Sequence, residues 1–269
     1  LNIVFDDNGM VTEATGDVHL IDASVAQDED VVARVEELAG PIEELKSTVI
    51  SEALAPIDGS RDNCRARECA MGNLLTDAML ARTRDQGVQF AITNGGGLRA
   101  SINAGEITMG EVLEVLPFQN TLATFQLTGA DVIASLESGV SQIEEGAGRF
   151  PQVSGLRYTV DASAEPGNCI SNVGMQVDGE WTPIDPEATY TIATNNFMRN
   201  GGDGYSRFAE KARNAYDYGP GLEQVLADYL AENAPYEPYT DGRITQAADP
   251  ASVKDQAAKN NESETGTAN

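Results

Sequence analysis

Phe90–Ala100 reads FAITNGGGLRA. A short apolar run of strand-forming residues ends in Asn94 and three consecutive glycines, Gly95, Gly96 and Gly97, and the next turn carries a lone cation, Arg99. Glycine tolerates positive φ and lets bare backbone come close to a ligand, while an arginine fork presents paired donors to a phosphate or carboxylate. On residue types alone the stretch also reads as a strand ending in a flexible turn. Written as G-x-G-x-x-A it fits the dinucleotide fingerprint, a unit that needs a helix beginning within the glycines and an acid roughly 20 residues further on. Ser101–Thr108, SINAGEIT, holds another glycine and is too short and loop-like for that helix. A dinucleotide fold is therefore set aside.

Outward from this stretch, helices and strands alternate. Upstream, residues 70–84 place Met71, Leu74, Leu75, Ala78 and Met79 on one helical face, and Gln89–Thr93 forms the strand that enters the glycines. Downstream, Thr108 and Glu111 make a capping box for a short helix ending before Pro117. Thr121–Leu127 is a strand, and Thr128 with Asp131 caps a helix through Val140. The second half is mostly strand: Leu156, Tyr158 and Val160 alternate, Val173–Val177 runs into Asp178-Gly179 and Trp181, and Thr189–Thr194 follows. Asn195–Tyr205, NNFMRNGGDGY, is a second glycine-rich loop, and a helix from Pro220 places Leu222, Val225, Leu226, Tyr229 and Leu230 on one face.

The amino-terminal part differs. Residues 1–22 read as strands, with a type I′ hairpin at Asn8-Gly9 and a third strand over Asp17–Ile21. From Ser24, the residues Val31, Val35, Leu38, Ile42, Leu45 and Val49 recur at heptad spacing, and Gly40-Pro41 predicts a kink or break there. After Gln246 the composition predicts a disordered tail, 247–269.

With 43 acidic against 17 basic residues the net charge is −26, and arginine outnumbers lysine. Nucleic acid and anionic membrane surfaces are therefore poor partners, and neither nucleic-acid binding nor membrane insertion is expected. The acidic surface predicts adaptation to high salt, where self-repulsion is screened within about 3 Å at ~1 M, and weak cation binding on that surface. No apolar run approaches the roughly 20 residues a membrane helix needs, and the first residues show no signal peptide. One histidine, His19, can supply neither a serine triad nor the ligands of a two-metal phosphoesterase. Of the cysteines, Cys64 and Cys69 are close enough to bridge if the segment turns, and Cys169 is left over. A short-loop disulfide would place the protein outside the cytoplasm.

Taken in order, CRARECAMGNLLTDAM (Cys64–Met79), TNGGGLRASINAGEIT, VLPFQNTL, GRFPQVSGLRY and NNFMRNGGDGY resemble the carboxy-terminal domain of the 5′-nucleotidase family, which includes bacterial periplasmic UDP-sugar hydrolases and animal ecto-5′-nucleotidases. The resemblance implies a compact α/β (α+β) domain, a mixed sheet with flanking helices, over 55–246. Residues 1–22 would be the strand remnant of a metallophosphoesterase domain that the sequence lacks, and 23–54 the linker helix. Two divalent metal ions and the catalytic histidine would belong to that missing domain, a partner of this one; no metal, cofactor or catalytic residue is expected in this chain. The resemblance further implies that Arg65 and Arg99 contact phosphate, that Asn94, Asn120 and Asp203 contact ribose and base, and that Phe118 and Phe197 sandwich the base. Cys64 and Cys69 would form the family's disulfide. The expected ligand is a nucleotide or nucleoside, and the expected location periplasmic or extracellular. Two other readings are carried: a 2′,3′-cyclic-nucleotide phosphodiesterase or thiohydrolase relative, and a free-standing acidic ligand- or cation-binding protein of a halophile.

Overall fold

The computed structural model describes residues 1–247, so the tail expected at 247–269 lies, from residue 248 onward, outside the described residues. The chain divides into two units, Leu1–Glu44 and Leu45 onward.

In the first unit, β1 (Asn2–Phe5) and β2 (Val11–Thr15) pair as an antiparallel hairpin. Its turn is not type I′. Only Gly9 has positive φ, whereas type I′ needs it at both central residues. Asp6 closes a longer loop instead, its carboxylate accepting from the Asn8 and Met10 amides at 2.9 and 2.8 Å. Asp17–Ile21 joins no ladder, so the expected third strand is not formed. Helix α1 runs unbroken over Glu29–Lys46 with Pro41 inside it. Proline forfeits its own rung, and the turns on either side carry the helix past it. The helix is thus shorter than the expected 23–54. Val49, which continues the heptad spacing, begins β3 (Val49–Ala53) instead, because the β-branched pair Val49-Ile50 suits a pleated strand.

The second unit is a mixed α/β fold. After β3 come α2 (Arg61–Cys64), α3 (Ala70–Thr83), β4 (Phe90–Asn94), β5 (Gly105–Thr108), α4 (Met109–Val115), β6 (Leu122–Thr128) and α5 (Gly129–Val140). Then follow β7 (Pro151–Ser154), β8 (Leu156–Val160), β9 (Ile170–Val177), β10 (Glu180–Pro183), β11 (Thr189–Asn195), α6 (Asn196–Arg199) and α7 (Ser206–Glu210). The last elements are β12 (Arg213–Tyr216), α8 (Leu222–Glu232) and β13 (Ile244–Gln246). The main sheet has the order β12-β6-β11-β4-β7, with β11 and β4 parallel and the other pairs antiparallel. A second sheet, β10-β9-β8-β13, and the two-stranded β3-β5 complete the unit.

Strand β4 shows why its sequence is an apolar run rather than an alternating one. Ala91 points into a core built with α3, α4 and α8, while Phe90 and Ile92 point into a second core with Phe125, Leu136 and Tyr205. Both faces are buried, and a strand buried on both faces needs apolar residues throughout. Each fully buried Phe or Ile contributes roughly 1.5–3 kcal/mol by leaving water. The two predicted caps form as read: the Thr108 hydroxyl accepts from the Glu111 amide at 3.3 Å while Glu111 accepts from the Thr108 amide at 2.9 Å, and Thr128 caps α5 through the Asp131 amide at 3.2 Å. No helix among the described residues is long and apolar enough to cross a membrane.

Candidate functional site

The site starts where β4 runs out. The Gly95 amide donates to the Phe150 carbonyl at 2.8 Å and the Gly96 amide to the Gly148 carbonyl at 2.7 Å. A Cβ on Gly95 would lie 2.0 Å from the Cys64 carbonyl oxygen, and one on Gly96 would lie 2.7 Å from the Gly148 Cα. The first two glycines therefore admit neighbouring backbone, not a ligand, which corrects part of the sequence reading. Gly96 and Gly97 still form cavity wall.

The segment pressed against Gly95 is the loop closed by the Cys64–Cys69 disulfide, with Cα atoms 5.1 Å apart. Cys69 also caps α3, its Sγ accepting from the Gly72 amide at 3.2 Å. A fully buried side chain on β7, Gln152, fastens this loop. Its Nε2 donates to the Cys64 and Arg67 carbonyls at 3.0 and 2.6 Å, and its Oε1 accepts from the Cys69 amide at 3.3 Å. Arg65, inside the loop, donates from Nη1 to the Gly146 carbonyl at 3.2 Å, while its buried Nε has no protein partner. Burial, then the neighbouring Arg61 and Arg99 cations, hold its guanidinium below the usual arginine range, partly offset by Asp203. Like charges that crowd together in an acidic protein favour an anion between them.

Two phenylalanine rings come from other elements. Phe118 sits on the loop from α4 to β6, where Gln119 takes a left-handed φ of 54°, and Phe197 sits on α6. A Cβ on Gly202 would come within 2.5 Å of the Phe197 ring, so that glycine is the seat on which the ring rests. Phe118 and Phe197 are 55% and 44% exposed, unusual for phenylalanine and contrary to a core role. Asp203 is also left-handed, φ 54°, between Gly201 and Gly204 at 90° and 82°. Its Oδ2 accepts from Asn94 Nδ2 at 2.7 Å.

All seven residues singled out in the sequence, Arg65, Asn94, Arg99, Phe118, Asn120, Phe197 and Asp203, line one cavity of about 500 Å³. A cavity of about 290 Å³ beside it shares Arg65 and Arg99 and adds Arg61. Sequence reasoning missed Arg61, Gln152 and Gly148. Arg61 carried a signal, standing four residues before Arg65; Gln152 carried only its being a polar residue in an apolar strand. Together the walls offer ring faces to a flat apolar group, guanidinium groups to an anion and a carboxylate to hydroxyls. Among the described residues no cluster of three or more His, Cys, Asp or Glu is placed to hold a metal ion.

The sequence matches the family described as "5′-nucleotidase, C-terminal domain" over residues 44–210. It is 35% identical to a trifunctional nucleotide phosphoesterase protein of Bacillus subtilis, over 95% of this chain and 18% of that protein. It is 30% identical to the 5′-nucleotidase of Homo sapiens, over 91% of this chain and 45% of that one. The fold superposes on the crystal structure of a 5′-nucleotidase precursor from Thermus thermophilus with a TM-score of 0.77 and 41% identity, covering 92% of this chain and 49% of that chain. In each case this chain spans less than half of the relative's length. With the family matched across more than half of the chain, the glycine turn, the disulfide loop and the NNFMRNGGDGY segment within it, this protein belongs to the 5′-nucleotidase C-terminal domain family.

Proposed function

We propose that this chain is the substrate-recognition part of a secreted or periplasmic 5′-nucleotidase, a phosphoric monoester hydrolase whose metal-bearing catalytic part lies in the length of its relatives that it does not span. The observation that carries this reading is the gathering of two exposed phenylalanines, two arginines and one carboxylate on a single cavity. Phe118 and Phe197 would stack on the base, a contact open to any base because every base has a π-face. Arg65 and Arg99 would meet phosphate through charge-assisted bonds from their guanidinium groups. Asp203 would accept from ribose hydroxyls, the role an acidic residue plays in other nucleotide sites, and Asn120 would contact ribose or base from the same wall. The chain's own work is to bind and orient; two divalent ions in the other part would activate water and stabilise the leaving oxygens.

Titration calorimetry with adenosine and AMP tests the reading, paired with phosphate release from AMP in the presence of Mn²⁺, Zn²⁺ or Co²⁺. Binding of both ligands without phosphate release is expected. Absence of nucleoside binding by the folded chain overturns the recognition role, and release above a denatured control overturns the division of labour.

A further inference from the structure

Asp203 does not stand alone behind the cavity. It ends a chain of buried amides that begins at the amino terminus of α6. The Asn195 side chain caps that helix, its Oδ1 accepting from the Met198 amide at 2.8 Å. Because that oxygen must accept, the Asn195 nitrogen faces the other way and donates to Asn94 Oδ1 at 3.0 Å and Thr93 Oγ1 at 3.2 Å. With its oxygen engaged as an acceptor, Asn94 in turn presents Nδ2 to Asp203 Oδ2 at 2.7 Å. Asn195 and Asn94 are 1% and 4% exposed, so water is not at hand to replace a lost partner, and a buried polar group left unpaired is costly. A backbone N–H has no freedom to reverse its sense, and neither amide can turn over without setting acceptor against acceptor or donor against donor.

We propose that Asn195 is a positioning residue for hydroxyl recognition: through Asn94 it fixes which carboxylate oxygen of Asp203 is occupied by protein and leaves the other to accept from the sugar. This rests on the reading of Asp203 given above and adds to it the residue that sets its orientation. Asp203 takes a left-handed φ, which aspartate tolerates better than most residues, so what is set from outside is the orientation of its carboxylate.

The test is Asn195→Asp, which keeps size and helix cap but removes the proton offered to Asn94. Asn94 must then turn its nitrogen toward residue 195 and its oxygen toward Asp203, where two acceptors meet. The probes are adenosine and 2′,3′-dideoxyadenosine, measured by calorimetry on variants whose melting shows them folded. In the parent, a hydrogen bond from sugar to carboxylate should favour adenosine by about tenfold or more. In Asn195→Asp that preference should fall below about threefold, with dideoxyadenosine affinity held within about twofold because stacking is untouched. Asp203→Asn should reduce the preference in the parent yet restore it in the Asn195→Asp background, because an amide at 203 then supplies the missing proton to Asn94. Should Asn195→Asp fail to fold, Asn195→Ser keeps a cap acceptor and releases Asn94, and should lose the preference in the same way. A parent with no preference for adenosine overturns the reading of Asp203, and this inference with it. A parent with the preference and an Asn195 variant that retains it, or that loses both ligands equally, overturns the positioning role alone.

Discussion

The guanidinium carbon of Arg99 lies 5.6 Å from the centre of the Phe118 ring, so a cation and a stacking surface share the wall of one cavity. Their contributions should nevertheless separate. Phe118→Ala and Phe197→Ala should each weaken adenosine and AMP alike, by on the order of 1–3 kcal/mol. Arg99→Ala should weaken AMP and change adenosine by no more than the roughly 0.5–1 kcal/mol that an exposed cation–ring contact holds. Calorimetry at matched, moderate salt distinguishes them, since the −26 background repels AMP when screening is low. If both phenylalanine variants bind adenosine as the parent does, the rings are not a clamp.

Gln152 carries more than its size suggests. Replacing it by Leu strands the Cys64 and Arg67 carbonyls and the Cys69 amide, which it serves at 2.6 to 3.3 Å. Each group left unpaired in a buried setting costs about 1–3 kcal/mol, so urea melts should show Gln152→Leu among the most destabilising single changes in the domain. In a folded remnant, AMP should weaken more than adenosine, because the loop that slackens is the one holding Arg65. An unchanged melting midpoint would show that the loop needs no fastening beyond its disulfide.

Thiol chemistry should divide the three cysteines unequally. Cys64 and Cys69 are bonded and Cys169 is free, so the unfolded, unreduced protein should titrate with one equivalent of Ellman's reagent. In the folded protein, burial and then the nearby Glu137 carboxylate push the Cys169 thiol up. The neutral thiol is therefore favoured through neutral pH, and since the thiolate is the reactive form, alkylation should accelerate only at a more alkaline pH than in the unfolded chain. Equal rates in both states at neutral pH would contradict this.

Salt should stabilise the fold beyond ordinary ionic strength. With 43 acids to 17 bases, like charges sit close enough that long-range screening alone does not relieve them, and the screening length falls to about 3 Å only near 1 M. Thermal melts from ~0.1 to ~2 M KCl should show a rising midpoint across the whole range. A flat or falling midpoint removes the salt-adapted reading of the surface.

What could be read from the sequence followed the range of each interaction. Capping at Thr108–Glu111 and Thr128–Asp131 spans three residues and was legible, as were the helical faces of α3 and α8 and the strand β4, though not its burial on both faces. Val49 was misread because heptad spacing continues through it, while the strand that its β-branched pair with Ile50 suits is held by pairing with β5, more than fifty residues on. The type I′ turn failed on a side chain, Asp6, competing for the turn amides. Gln152 and Asn195 were invisible as linchpins because their partners lie 88 and 101 residues away. The seven cavity residues were legible through resemblance to a family, not through spacing, since nothing periodic brings Arg65 near Phe197.

Strand β4 feeds both cores and then, without a linker, reaches the base of the cavity at Asn94, with Gly96 and Gly97 just beyond it. Floor and rim should therefore tolerate substitution differently. A change near Asn94, Gly95 or Gln152 is judged first by whether the molecule folds, so variation there is filtered out before any ligand is met. Phe118 and Phe197 stand half in water, where a replacement costs the fold little. New ligand preferences in this lineage, natural or engineered, should accumulate around the mouth while the base of the pocket stays fixed, and a library confined to those two positions and their loop neighbours should yield mostly folded proteins.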